Sequence, residues 1–221
     1  MPRTFAIGDI HGCAKTFKSL IVDKIQICNS DIVYCIGDYI DRGKDSRGVV
    51  DFILELRSNH YQIFTLRGNH EQMLLNSSNS DDAFELWMKN GGGHTLWSFG
   101  ISTISELSPV YLDFFNSLPF FLESEDCFFV HAGFNLFEKN LFEDTHAMLW
   151  TRDFAGKSKQ LKGKKVIHGH DALSSFELKS QDLKRNINID GGCVYKDIQG
   201  MGSLFALNLT DMEWLEVKNI D

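Results

Sequence analysis

Short apolar runs alternate with amphipathic stretches through the first third of the chain. Thr4 to Gly8 reads as a buried strand, and Ala14, Phe17, Leu20 and Ile21 then recur at helical spacing. Asp31 to Gly37 (DIVYCIG) is a second apolar strand, rich in β-branched and aromatic residues. Val49, Val50, Phe52, Ile53 and Leu56 mark a second helix, and Tyr61 to Leu66 (YQIFTL) a third strand. A β-α-β-α-β opening predicts parallel strands joined by right-handed crossovers. Residues 71–118 read as mostly helical, broken at Asn90-Gly91-Gly92-Gly93 and at Pro109. From Pro119 onward short strands return: PFFLE, CFFVHAG, KKVIHGH, INID, SLFALNL and EWLEV. The last two flank Thr210-Asp211, a turn signal, and predict an antiparallel hairpin. An α/β chain with two mixed β-sheets in a sandwich, flanked by helices, accommodates this order. No repeat or linker divides the sequence, so residues 1–221 are expected to form a single domain.

Composition adds limits rather than detail. Apolar residues at 43% and charged residues at 24% are ordinary for a globular protein large enough to bury a core. The formal net charge of −8 opposes non-specific binding to nucleic acid, which needs many phosphates neutralised, and it suits divalent cations. Cys13, Cys28, Cys35, Cys127 and Cys193 are odd in number and scattered. They argue against a disulfide framework and for a reducing compartment. No apolar run reaches the roughly 18 residues that a membrane span needs, and MPRTFAIGDIHG leads directly into a strand. The expectation is a cytoplasmic protein with no membrane or nucleic-acid partner; its oligomeric state is left open.

The polar residues are more informative. Each early strand ends in a tight polar loop: Gly8-Asp9-Ile10-His11-Gly12, then Gly37-Asp38-Tyr39-Ile40-Asp41-Arg42-Gly43, then Gly68-Asn69-His70-Glu71. Ligands of open α/β sheets bind outside the carboxyl ends of the strands, so three parallel neighbours would bring these loops together. Asp9, His11, Asp38, Asn69 and His70 would then offer carboxylate, amide and imidazole donors without a thiolate, a set suited to Mn²⁺, Fe or Zn²⁺. Two later apolar runs also end in histidine, at His131 and at His168-Gly169-His170. Singly, each of these residues is ordinary turn chemistry, and Asp41-Arg42 reads equally well as a surface ion pair. Three strand-ending loops with complementary ligand types are not accounted for by turns alone.

At these residues the sequence resembles the PPP family of metal-dependent serine/threonine phosphatases, calcineurin-like metallophosphoesterases, in particular its small bacteriophage and bacterial members. The signatures Gly-Asp-x-His-Gly, Gly-Asp-x-x-Asp-Arg-Gly and Gly-Asn-His-Glu stand complete and in order. The likeness extends to Leu149-Trp150-x-Arg152, His168-Gly169-His170 and Ile189-Asp190-Gly191-Gly192, nearly the whole chain. The resemblance implies two divalent ions, Mn²⁺ foremost with Fe or Zn²⁺ as alternatives. Asp9, His11 and Asp38 would hold one, and Asp38 would bridge to a second completed by Asn69, His131 and His170. His70 would protonate the leaving oxygen, oriented by Asp41, while Arg42 and Arg152, with Asn69, would bind the phosphate. A metal-bound hydroxide would attack phosphorus directly, with no phosphoenzyme and no cysteine nucleophile.

The implied substrate is phosphoserine or phosphothreonine in a protein or peptide. The nearest alternative is a symmetrical diadenosine polyphosphate hydrolase or another nucleotide phosphoesterase of the same superfamily. Those relatives usually carry Ala-Arg-Gly in the second motif and Asp after Asn-His, whereas Asp41-Arg42-Gly43 and Glu71 stand here. A DNA nuclease is opposed by the acidic balance, and a non-catalytic binding protein by the presence of every implied ligand. Two residues depart from the family pattern. His168 replaces an apolar or aromatic residue, which leaves His168 or His170 as the ligand, with His170 preferred; Gly191 replaces Thr or Asn. The Lys-rich stretch 157–165 reads as a solvated loop that could also attract a phosphorylated partner. The helical insert around 76–118 is expected to shape substrate access.

Overall fold

In the structure, a computed structural model that describes residues 2–221, the three early strands are β1 (Thr4–Ile7), β2 (Ile32–Cys35) and β3 (Gln62–Thr65). They pair in parallel, with Phe5 opposite Val33 and Val33 opposite Ile63. β8 (Ser203–Asn208) joins the free edge of β1 antiparallel, and β9 (Glu213–Lys218) pairs antiparallel with β8, as the Thr210-Asp211 turn predicts. The first sheet therefore runs β3-β2-β1-β8-β9. The second runs β4-β5-β6-β7, built from Phe121–Glu123, Cys127–Val130, Lys165–His168 and Asn186–Asn188. Its first pair is antiparallel and the others are parallel, so both sheets are mixed, as expected.

The period-2 alternation of the strands decides what each sheet face buries. Ala6, Ile36, Leu66, Phe129, Ile167, Ile187 and Leu207 meet between the sheets. The alternate residues Phe5, Ile7, Val33 and Cys35 face the helices α1 (Ala14–Ser19) and α2 (Ser46–Ser58). On the far side Phe128, Val130 and Val166 pack on Phe134, Leu141, Met148 and Phe154. The sandwich interface is pinned by Tyr34, whose ring stacks on Phe129 at 3.8 Å between centroids.

One feature differs from the sequence reading. The third polar segment is not a loop throughout: Asn69–Asn76 is helix α3, so Asn69, His70 and Glu71 form its first turn. The Glu71 carboxylate reaches back to accept from Gly68 N at 2.8 Å, satisfying an amide that the helix start leaves free. The glycine run at 90–93 interrupts the helical insert, as expected. A π-helical turn, Met88–Gly92, joins α4 (Asp81–Trp87) to α5 (Gly93–Phe99), and Gly91 absorbs the kink at φ 105°. The insert is broken again before Pro109, as expected, and the proline opens α6 (Pro109–Ser117), where a missing N–H costs nothing. Two short helices, α7 (Thr145–Trp150) and α8 (Ser175–Lys179), complete the chain without a clear periodic signal.

Phe129→Ala should destabilise the fold by about 3–5 kcal/mol, because it empties the centre of the sandwich. Equilibrium denaturation measures this; a loss below about 1 kcal/mol would show that the Tyr34–Phe129 stack does not hold the sheets together.

Candidate metal centre and active site

The loops after β1, β2 and β3 converge because their backbones are bonded to one another. The Asp38 carbonyl accepts from Ile10 N at 3.1 Å and His11 N at 2.8 Å, joining the first two loops. Glu71 joins the second to the third: beyond Gly68, its carboxylate accepts from Asp38 N at 2.9 Å and Tyr39 N at 2.8 Å. Gly68 must be glycine, since a Cβ there would lie 2.1 Å from Asp38 Oδ1. Five site residues adopt left-handed backbone: His11, Asp38, Asp41, Arg42 and His170. Each such non-glycine residue costs of order 1–3 kcal/mol, which these loop contacts must offset.

Donor atoms collect around Asp38. His11 Nε2 lies 3.3 Å from Asp38 Oδ2, and His131 Nε2 lies 3.6 Å from Asp38 Oδ1. His11 Nδ1 donates to Ile40 O at 2.8 Å and His131 Nδ1 to Ile36 O at 3.1 Å. Those bonds leave both Nε2 atoms as lone pairs. His131 Nε2 then faces Asn69 Oδ1 at 2.9 Å, with His170 Nδ1 at 3.2 Å and 3.1 Å from the two. A lone pair facing a carbonyl oxygen repels it unless a cation lies between. Asp9 Oδ1 and His170 Nε2 are buried with no partner at all.

Electrostatics point the same way. Burial pushes the Asp9 carboxyl well above its ordinary range, and the charges of Asp190 and Asp38 add to this. Burial also raises Asp190, to about 7. The Asp38 carboxyl is held below its ordinary range: burial works against it, but His131, His70 and His11 outweigh burial whenever they carry charge. Burial lowers His11 and His131 and brings His170 to about 3, keeping these imidazoles neutral, the form that ligates metal. His70 goes the opposite way: burial disfavours its charge, but the carboxylates of Asp38 and Asp41 outweigh that. A divalent cation would neutralise these crowded carboxylates and take up the facing lone pairs, so the residues fit one. Two groups could hold ions through a shared Asp38: Asp38 with His131 and His170, and Asp38 with His11 and His70.

The second group differs from the expectation in containing His70 where Asp9 was expected. Asp9 lies buried beside Asp38 and Asp190, outside that cluster. His70 Nε2 is 3.9 Å from Asp38 Oδ2 and has no hydrogen-bond partner, while its Nδ1 is bonded to Asp41 Oδ2 at 2.6 Å. Of His168 and His170, only His170 lies in one of the two groups. His168 is buried edge-on against Phe154, away from both groups, and burial lowers it to about 4.

Over the centre opens a cavity of about 190 Å³ lined by Asp38, Arg42, Asn69, Asn90, Trp150 and Arg152, with His170 and Tyr195 nearby. Arg42 is half-buried; its Nη1 lies 2.8 Å from His11 Nε2 and its guanidinium 5.6 Å from the Tyr195 ring. Arg152 is at the exposed rim and pairs with Asp171. Asp190, Glu71, Trp87, Thr95 and Asn90 were not assigned roles from sequence. Asp190 carried the same signal as the others, an acid just beyond a strand end; Trp87 and Thr95 look like ordinary helix residues.

Ligand-bearing loops at the carboxyl ends of parallel strands in a two-sheet sandwich define a metal-dependent phosphoesterase. The chain belongs to the calcineurin-like phosphoesterase family, whose profile matches residues 2–220. Among curated relatives, serine/threonine-protein phosphatase 1 of Salmonella typhimurium is 35% identical over 94 residues, 41% of this chain and 39% of that protein. The symmetrical bis(5'-nucleosyl)-tetraphosphatase of Wigglesworthia glossinidia brevipalpis is 46% identical over 72 residues, 32% of this chain and 25% of that protein. Serine/threonine-protein phosphatase 2 of Escherichia coli is 27% identical over 203 residues, 85% of this chain and 86% of that protein. The structure of a Saccharomyces cerevisiae protein serine/threonine phosphatase with similarity to human PP5 superposes with a TM-score of 0.64 at 18% identity, covering 99% of this chain and 79% of that one, which shows the fold. No helix among the described residues is long and apolar enough to cross a membrane.

His170→Ala should weaken Mn²⁺ binding measured by calorimetry, and His168→Leu should not; the reverse order would reassign the ligand. His168 also predicts a pH effect. Its folded value of about 4 lies below the roughly 6.5 of an unfolded histidine, so the unfolded chain takes up the proton first. That stability is present above pH 6.5 and is lost as pH falls towards 4. His168→Leu should therefore gain on the parent by up to about 1.4 kcal/mol per pH unit across that window in metal-free unfolding. A pH-independent difference would contradict the assignment of a buried neutral imidazole.

Proposed function

We propose that this chain is a Mn²⁺-dependent phosphatase that hydrolyses phosphoserine or phosphothreonine monoesters in proteins. The observation that carries the reading is the Asp41–His70 pair: a buried imidazole held at Nδ1, with Nε2 free and an environment that favours its protonation. An alkoxide is a strongly basic leaving group, and a positioned acid is worth about 10²–10⁴-fold there. We assign Asp9, His11, Asp38, Asn69, His131 and His170 as metal ligands. Divalent ions, when bound, supply Lewis acidity to the phosphoryl oxygens and activate the nucleophile.

The protein's own groups do the rest. Arg42 and Arg152 bind the phosphoryl oxygens, Arg152 exchanging its Asp171 partner for substrate. The Asn69 amide faces the same cavity. His70 donates from Nε2 to the leaving oxygen, and Asp41 holds the Nδ1 proton. His70 fits this role better than that of a ligand, because burial lowers the assigned ligand histidines while the carboxylates of Asp38 and Asp41 outweigh burial and raise His70. The number of cations supports a monoester: two arginines around about 190 Å³ match one phosphoryl group better than a chain of four. Five free cysteines, four of them buried, fit a reducing compartment, and we place the protein in the cytoplasm.

The 46% identity to a dinucleoside tetraphosphatase keeps a second reading in play. Side-by-side turnover of a phosphothreonine peptide and diadenosine tetraphosphate with Mn²⁺ decides between them. The peptide should be preferred in kcat/KM; preference for the dinucleotide would retain the metal centre and overturn the substrate. His70→Asn should slow the phosphothreonine peptide by about 10²-fold or more and an aryl phosphate much less. Equal slowing of both would remove His70 from proton transfer.

A further inference from the structure

The helical insert between β3 and β4 sends one short segment, residues 87–95, down to the active-site floor. It meets the chain at Asp41 and Arg42. The Trp87 indole N–H donates to Asp41 Oδ2 at 2.9 Å and Oδ1 at 3.1 Å. The Thr95 hydroxyl donates to Asp41 Oδ1 at 2.6 Å and accepts from Asp41 N at 2.9 Å. One turn further, Arg42 N donates to Gly91 O at 3.4 Å. Gly91 allows that approach, because a Cβ there would lie 2.8 Å from Arg42 N. Trp87, Thr95 and Asp41 are all buried, so no water substitutes for these bonds.

We propose that residues 87–95 are a positioning device for the proton-donating pair, with Trp87 and Thr95 as the positioning residues that fix the Asp41 carboxylate against His70. The inference rests on the reading of His70 as the acid. Asp41 has two oxygens and His70 uses one. Trp87 and Thr95 occupy the remaining acceptor sites and stop the carboxylate from rotating away from Nδ1. Thr95 Oγ1, with Ser46 Oγ, also takes the Asp41 amide and Gly91 O takes the Arg42 amide, where the two residues adopt left-handed backbone at φ 69° and 65°. One segment thereby sets both the acid and the phosphate clamp. The insert was expected from sequence to shape substrate access; the contacts seen are with Asp41 and Arg42.

The test compares Trp87→Phe, which keeps an aromatic side chain of smaller size and loses the donor, with Thr95→Val, which keeps the shape and loses the hydroxyl, and Thr95→Ser, which restores it. Each is measured for kcat and KM on a phosphothreonine peptide and on p-nitrophenyl phosphate, with bound Mn²⁺ and thermal unfolding recorded. Each is then repeated in the His70→Asn background. The proposal expects Trp87→Phe and Thr95→Val to lower kcat on the peptide by about ten-fold, with KM and metal content unchanged. The loss should be smaller on the aryl ester, absent in Thr95→Ser, and abolished in the His70→Asn background. If Trp87→Phe fails to fold, the isosteric Thr95→Val carries the test. Equal losses on both esters, or losses that persist without His70, overturn the proposal. If His70→Asn alone slows both esters equally, the acid reading itself has failed, and that result is separate from the behaviour of the insert.

Discussion

Asp38 is the residue on which the rest of the site depends. Its carbonyl anchors the Asp9–His11 loop, its amide is held by Glu71, and Oδ1 accepts from His70 N at 3.1 Å. The same carboxylate lies within 4 Å of ring nitrogens of His11, His70 and His131. Three strand ends that could have splayed apart are thus tied to a single buried acid. The geometry that organises the loops also concentrates charge.

That concentration has a physical cost. Asp9, Asp38, Asp190 and Glu71 are all buried, and burial raises Glu71 to about 8 despite three backbone donors. Uncompensated buried carboxylates are among the least tolerated features of a protein interior. Five left-handed non-glycine residues add backbone strain in the same place. Such features persist where the surrounding structure over-determines them, and here two packed sheets and the helical insert do so. Divalent cations convert the crowding from a liability into a binding site.

The strands and the first two helices were legible in the sequence because buried strands and amphipathic helices leave strong periodic signals. The polar loops were legible because glycines bracket them and their acids and histidines follow apolar runs. The start of α3 is hidden in the sequence: Gly68-Asn69-His70-Glu71 is polar enough to look like a loop, and the reach of Glu71 back to Gly68 marks it as a helix start. The insert was the least legible part. Trp87 and Thr95 lie eight positions apart on ordinary helical sequence, and nothing local marks the distant acid that they contact. A contact across 46 and 54 residues belongs to tertiary structure alone.

The most direct test of the account is anomalous diffraction from crystals grown with Mn²⁺. The account predicts two peaks per chain, on either side of the Asp38 carboxylate and about 3.5–4 Å apart, one towards Asp9 and His11 and the other towards Asn69, His131 and His170. A single ion, or ions bound away from Asp38, would contradict it.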